Sequence, residues 1–187
     1  MSKKVEVKPS AYVYPAPVVL ITSIGENERP NIMTSSWVAN VSGKQLVVSL
    51  ASSSYSNGLI RESGEFVVNL PTVDILRETD HCGMVSGRSV DKFSDTKLTP
   101  VKAKKVRPPL IAECPINIEC KVKNTIELGS QDLFIGEVLS VELDESILDE
   151  KKRIDPKKLR AISWSPQTLE YYSLGGQLGS GGLSLKK

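Results

Sequence analysis

Ile116-Asn117-Ile118-Glu119-Cys120-Lys121-Val122-Lys123 alternates apolar and polar side chains without a break. A period of two is that of a strand with one face in a core and the other toward water, the pattern of a half-buried antiparallel strand. Leu133, Ile135, Leu139, Val141 and Leu143 repeat the pattern, with Glu137 interrupting the apolar face. Upstream, Val18-Val19-Leu20-Ile21-Thr22, Leu46-Val47-Val48-Ser49-Leu50 and Glu65-Phe66-Val67-Val68-Asn69-Leu70 are short, β-branched-rich runs, read as buried strands. Val38 to Val41 reads as extended as well. Gly25–Pro30 and Ser42-Gly43-Lys44 are turn material, and Pro71 halts the third run.

Helical signals are few. Asn57–Glu62 suits a brief helix, with Ser56 as cap and Gly64 as stop, and Val73–Thr79 suits a second. Asp80 to Pro109 carries much charge and few apolar runs, and reads as a long excursion over the surface. Asp144–Lys158 reads as a solvated connection, and Ala161–Trp164 with Leu169–Tyr172 closes the ordered part. Residues 1–14 form a lead-in ending in Tyr12 and Tyr14, and the glycines after 175 suggest a flexible tail. Six or so short strands separated by turns point to a mainly β, antiparallel barrel forming one domain over 1–187, with its core at about 10–175. No βαβ alternation, GxGxxG or Walker A spacing occurs.

With 187 residues, 25% of them charged, the chain is long enough for a real core and too apolar for general disorder. A net charge of +2 argues against a dedicated nucleic-acid binder. No run is long and apolar enough to span a membrane, and Met1–Glu6 lacks the apolar stretch of a secretory signal. Cys82, Cys114 and Cys120 cannot all pair internally and contain no CxxC, so a reduced, cytoplasmic setting is expected. His81, the single histidine, is too isolated for a zinc site or a Ser/His/Asp triad, and no metal site is expected. Cys82 beside it reads as a buried thiol in preference to a lowered-pKa nucleophile.

The chemistry sits in two hydroxyl clusters. Asn31-Ile32-Met33-Thr34-Ser35-Ser36-Trp37 places three hydroxyls before an indole, and Ala51-Ser52-Ser53-Ser54-Tyr55-Ser56 leaves a strand with four serines. Hydroxyls and turn N–H groups bind phosphate oxygens, and an indole offers an apolar wall for a ring. If both strand ends meet at one barrel rim, a phosphorylated ring compound fits among them, with Lys92 adding positive charge. Spacing alone does not distinguish a flavin from another such compound.

The order of motifs resembles the flavin reductase-like family of FMN-binding split barrels, most closely its flavoredoxin branch. The matching pieces are Pro17–Thr22, Asn31–Trp37, Ser54-Tyr55-Ser56 with Ile60, Gly64–Pro71, Ser86-Gly87-Arg88 with Asp91-Lys92-Phe93, Ile135–Val138, and Leu159 to Gly175. That resemblance implies a six-stranded Greek-key barrel, a homodimer, and FMN near the subunit interface. It implies that Thr34, Ser35, Ser36 and Trp37 line the flavin, and that Ser52, Ser54 and Ser56 reach its ribityl chain and phosphate with Lys92. Related stand-alone flavin reductases often carry an arginine where this chain has Ser52, so Arg88 or Lys92 is expected to take its place at the phosphate.

The expected activity is that of an FMN-dependent oxidoreductase. Its reducing equivalents come from NAD(P)H or from an iron–sulfur or flavoprotein donor, and no acid or base on the protein is required. A carrier of electrons without turnover of its own is the nearest alternative. A single-stranded nucleic-acid barrel is a remote one, because aromatics are only 5% of the chain.

Overall fold

The computed structural model describes residues 2–11 and 13–185; Tyr12 lies outside them. Its strands are β1 (Ala16–Pro17), β2 (Val19–Ile24), β3 (Pro30–Ser35), β4 (Val38–Ser42), β5 (Gln45–Ala51), β6 (Glu65–Leu70), β7 (Pro100–Val101), β8 (Leu110–Ile111), β9 (Ile116–Glu127), β10 (Gln131–Leu143), β11 (Ile162–Ser165) and β12 (Glu170–Ser173). Helices α1 (Tyr55–Ser63), α2 (Leu76–Met84), α3 (Lys92–Thr96) and α4 (Pro156–Leu159) fall between them. The main sheet is antiparallel, in the order β3-β2-β6-β9-β10-β5-β4.

Seven strands in that order make a six-stranded split barrel once β3 and β4 are seen as one bent strand. β3 pairs with β2 at one edge of the sheet and β4 pairs with β5 at the other. The chain crosses between the edges through Ser36 and Trp37 alone, and the Trp37 carbonyl accepts from Ser49 N at 2.8 Å. The hydroxyl-rich stretch is thus the corner that rolls the sheet up, and the out-of-sequence strand order is the Greek-key connection.

Inside the barrel lie Ile21, Val48, Phe66, Phe134 and Cys120, with Ile60 from α1. The helix that supplies Ile60 ends at Gly64, whose φ of 67° is the left-handed conformation a C-cap requires. Its N-cap is Ser54, not Ser56. A second core covers the outer face of β2 and β3, joining Leu20 and Ile32 to Cys82, Phe93, Leu98, Ile111 and Cys114. Every residue of β2 is therefore buried, which explains its unbroken apolar run.

The excursion from Asp80 to Pro109 carries α3 and the second half of α2, and much of it is packed against the barrel. Ala103, Val106 and Leu110 cover Val67. Beneath them the polar face of β9 is partly dry: Glu119 is fully buried and accepts from the backbone N–H groups of Lys104, Lys105 and Val106. Asn117 donates to Asn69 Oδ1 at 2.8 Å, and Asn69 accepts from Ile111 N at 3.1 Å. The strand reaches solvent only from Lys121 onward. The polar connection Asp144–Lys158 likewise buries Ile147, which packs with the adjoining Leu159 against Ile116.

The apolar face expected of β10 needs correction. Asp132, Phe134, Gly136 and Val138 alternate toward the barrel interior, and Leu133 and Ile135 lie on the opposite, outer face. A register shift between Val138 and Ser140 makes Leu139 an extra residue, and beyond it Val141 pairs with the inward-facing Ile118. One bulge reverses the parity of everything after it, so a single alternating set cannot describe both halves.

A separate three-stranded sheet, β1-β11-β12, holds the termini of the fold together. Trp164 packs on Tyr171 with ring centroids 4.6 Å apart, and Tyr14 meets Tyr172 edge-on at 6.4 Å.

Candidate functional site

A cavity of about 290 Å³ lies where β3, the first turn of α1, the end of α2 and the start of α3 converge. Asn31, Ser54, Ser56, Arg88 and Lys92 all line it, so five of the residues singled out from sequence come together. No carboxylate is among its lining residues.

Lys92 defines its character. The side chain belongs to the first residue of α3 and is drawn inward because its neighbour Phe93 anchors in the second core. Lys92 is only 5% exposed, and its Nζ donates to the Cys82 carbonyl at 2.6 Å. Among the described residues it has no carboxylate partner, and burial lowers its pKa below the ordinary lysine value. A buried ammonium is costly unless an anion meets it, and two of its three donors have no protein acceptor here.

The opposite wall is the start of α1. Ser54 accepts from Asn57 N at 3.2 Å as the N-cap, which leaves its hydroxyl proton free to donate. Ser56 is buried and accepts from Asn31 Nδ2 at 2.7 Å. The N-terminal end of this nine-residue helix carries no acidic residue in its first turn, so its partial positive charge is not offset locally.

Residues 85–90 strap across the mouth. Arg88 lies 5.6 Å from the centre of the Tyr55 ring and donates from Nη1 to the Ser53 carbonyl at 3.1 Å. Arg29 ties the strap down by donating to the Val90 carbonyl at 2.7 Å. Gly87 passes so close to β3 and α1 that a Cβ there would collide with Asn31 Oδ1 and lie 2.9 Å from Tyr55 Cδ1. Two cations, two hydroxyls and a helix N-terminus around a space without carboxylates form a donor set suited to a phosphate monoester.

Ser36 and Trp37 line a different space, an apolar slot of about 310 Å³ walled also by Pro15, Val47 and Leu133. Trp37 is 56% exposed there and takes no part in the barrel core. Met33 on β3 lines the cavity and Ser36, at the corner just after β3, lines the slot, so the two sites lie three residues, about 10 Å of chain, apart.

Three expected residues have other contacts. The Thr34 hydroxyl donates to the Thr79 carbonyl and fastens α2 to β3. Ser35 is buried and accepts from Trp37 N at 3.2 Å, bracing the corner. Ser52 is exposed and donates to the Gly129 carbonyl at 3.2 Å, away from the cavity lining. His81 does not line the cavity; its Nε2 lies 3.5 Å from Asp95 Oδ2 without hydrogen-bond geometry. The Cys82 thiol is fully buried and pushed up to about 11, first by that burial, which disfavours the thiolate. Sequence reasoning missed Tyr55 and the role of Gly87; only the bare Ser86-Gly87-Arg88 signalled the latter.

Residues 11–172 match the family described as the flavin reductase like domain. Among solved structures, the flavoredoxin of Desulfovibrio vulgaris (Miyazaki F) is 32% identical with a TM-score of 0.93, covering 98% of this chain and 100% of that one. The flavoredoxin from Methanosarcina acetivorans is 29% identical with a TM-score of 0.91, covering 99% of this chain and 100% of that one. An uncharacterized protein of Archaeoglobus fulgidus is 40% identical over 148 residues, 78% of this chain and 82% of its own length. With a match over most of its length, the chain belongs to the flavin reductase-like family.

Proposed function

We propose that this protein is an FMN-dependent oxidoreductase, with the FMN phosphate seated in the Lys92 cavity and the ring reaching the slot beside Trp37. The observation that carries the reading is Lys92, a buried ammonium that lacks a carboxylate and faces an acid-free cavity. Ser54, Ser56 and Arg88 would complete the phosphate shell, and Asn31 would hold Ser56 in place. Bound FMN supplies the redox chemistry, accepting reducing equivalents from NAD(P)H or a protein donor and passing them on. The protein's part is to bind, to orient and to shape what reaches the ring. The structural likeness to two flavoredoxins supports this reading.

The partner reading is a homodimer. Ala39, Val47 and Ile135 are in register on the outer face of β4, β5 and β10, with Leu133 beside them and Trp37 at the rim. A second copy laid on this apolar strip would cover it and wall the slot. No described helix is long and apolar enough to cross a membrane. Three free, buried cysteines suit the reducing cytoplasm.

An absorbance spectrum of the purified protein, followed by anaerobic mixing with NADH and then NADPH, tests the function. Flavin absorbance that bleaches with one nucleotide supports an oxidoreductase fed by that donor. Bound flavin unmoved by both would favour the electron carrier, and neither flavin absorbance nor FMN uptake would overturn both.

A further inference from the structure

The cavity's α1 wall is held from behind by a buried polar group that does not touch the cavity. Asn57, 1% exposed, is the third residue of α1, immediately after the two cavity residues Tyr55 and Ser56. Its backbone N–H caps on Ser54 Oγ, and its side-chain Nδ2 donates to Asp132 Oδ2 at 2.7 Å. Asp132, 2% exposed, lies on β10 and also receives Arg61 Nη2 at 2.8 Å. Arg61 Nε in turn donates to Asn57 Oδ1 at 3.1 Å, closing a triangle, and Nη2 extends it to Glu127 at 2.7 Å. Arg61 and Asn57 hold the Asp132 carboxyl below the usual carboxylate range, so it is a fixed anion at neutral pH.

This arrangement is unexpected electrostatically. Asp132 is a negative charge behind a wall of a site suited to an anion, and although Arg61 offsets much of its field, the carboxylate itself opposes ligand binding. An apolar residue at that position would carry no such charge. What the carboxylate supplies is direction: three N–H donors, from Asn57 and from Arg61 four residues on, converge on a single oxygen anchored in the sheet. The first turn of α1, which has only Ser54 as a cap, is thereby fixed in height against β10.

We infer that Asp132 and Asn57 are positioning residues, which set the Ser54–Ser56 turn at the distance a ligand phosphate requires. The inference rests on the FMN reading of the cavity and extends it to residues outside the cavity. It makes phosphate recognition, and not flavin-ring binding, depend on the triangle.

The test is fluorescence titration of the flavin-free protein with FMN and with riboflavin, which lacks the phosphate. In the wild-type protein FMN should bind more tightly than riboflavin; no preference would sink the cavity reading itself. Asn57→Ala changes no charge and removes no cavity-lining group, and should weaken FMN about 10-fold with riboflavin unchanged. Asp132→Asn removes a negative charge, so electrostatics alone would tighten FMN, whereas loss of positioning weakens it. Equal losses for both ligands would mean a general structural role and overturn the inference, as would unchanged or tighter FMN binding. Should either buried variant fail to fold, Arg61→Lys, at a side chain 43% exposed, keeps the charge but loses the Nε donation to Asn57 Oδ1, and should lower FMN affinity with riboflavin unchanged.

Discussion

Replacing Lys92 with methionine should separate binding from stability. In the folded protein the ammonium is desolvated and held by one carbonyl, that of Cys82. Removing it forfeits that hydrogen bond, a net contribution of about 1 kcal/mol, but also removes the cost of burying a charge with no counter-ion. Methionine fills nearly the same volume, so the two effects offset and the free protein should keep its stability within about 1 kcal/mol, a Tm shift of about 2–4 °C at this size. Toward FMN nothing offsets the loss. A charge-assisted hydrogen bond to phosphate contributes about 1.5–3 kcal/mol, which is roughly a 10- to 150-fold weaker Kd. Fluorescence titration with FMN and thermal melts of the free protein check both halves. An unchanged FMN Kd would refute the assignment of Lys92 to the phosphate. A free protein destabilised by several kcal/mol would show instead that Lys92 is a structural group.

Affinity for FMN should fall as pH rises through the Lys92 pKa, which in the free protein lies below the ordinary 10.5 because of burial. It should also fall below about pH 6 as the phosphate gains its second proton. The free protein should show the opposite slope at the alkaline end: a depressed folded pKa means the unfolded chain holds more protons, so stability rises with pH from the folded value to the unfolded one. Titrations and melts across that range should show both slopes, and Lys92→Met should remove them. Gly87→Ala should weaken FMN at least several-fold with little change in Tm, because its Cβ would push the strap off Asn31 and Tyr55; unchanged affinity would mean the strap is not part of the site. Val47→Lys, at the centre of the outer apolar strip, should shift the protein from dimer to monomer on size-exclusion chromatography with light scattering. A wild-type monomer would remove the homodimer reading.

Local patterns carried most of the fold. The run Glu65–Leu70, bounded by Gly64 and Pro71, is β6 to the residue, because a left-handed cap and a missing N–H leave the strand little choice of ends. The hydroxyls at the strand ends pointed to Ser54 and Ser56 beside Lys92, whereas Arg88 came from the family resemblance, and Thr34, Ser35, Ser36 and Ser52 do not line the cavity. Long-range contacts decided what was not legible. Thr34 and Ser36 are equivalent in sequence, yet one fastens α2 and the other lines the slot, because the chain bends between β3 and β4. Glu119 reads as a solvent-facing residue of an alternating strand until a segment fifteen residues upstream lays its N–H groups over it. The bulge at Leu139 has no side-chain signature, so the parity change in β10 was invisible.

The most direct measurement is the electron density of a crystal grown or soaked with FMN. Phosphate density within hydrogen-bonding reach of Lys92 Nζ and the Ser54 and Ser56 hydroxyls is the expected result. A flavin bound with its phosphate elsewhere, or a cavity filled by ordered water while FMN binds on another face, would contradict the site.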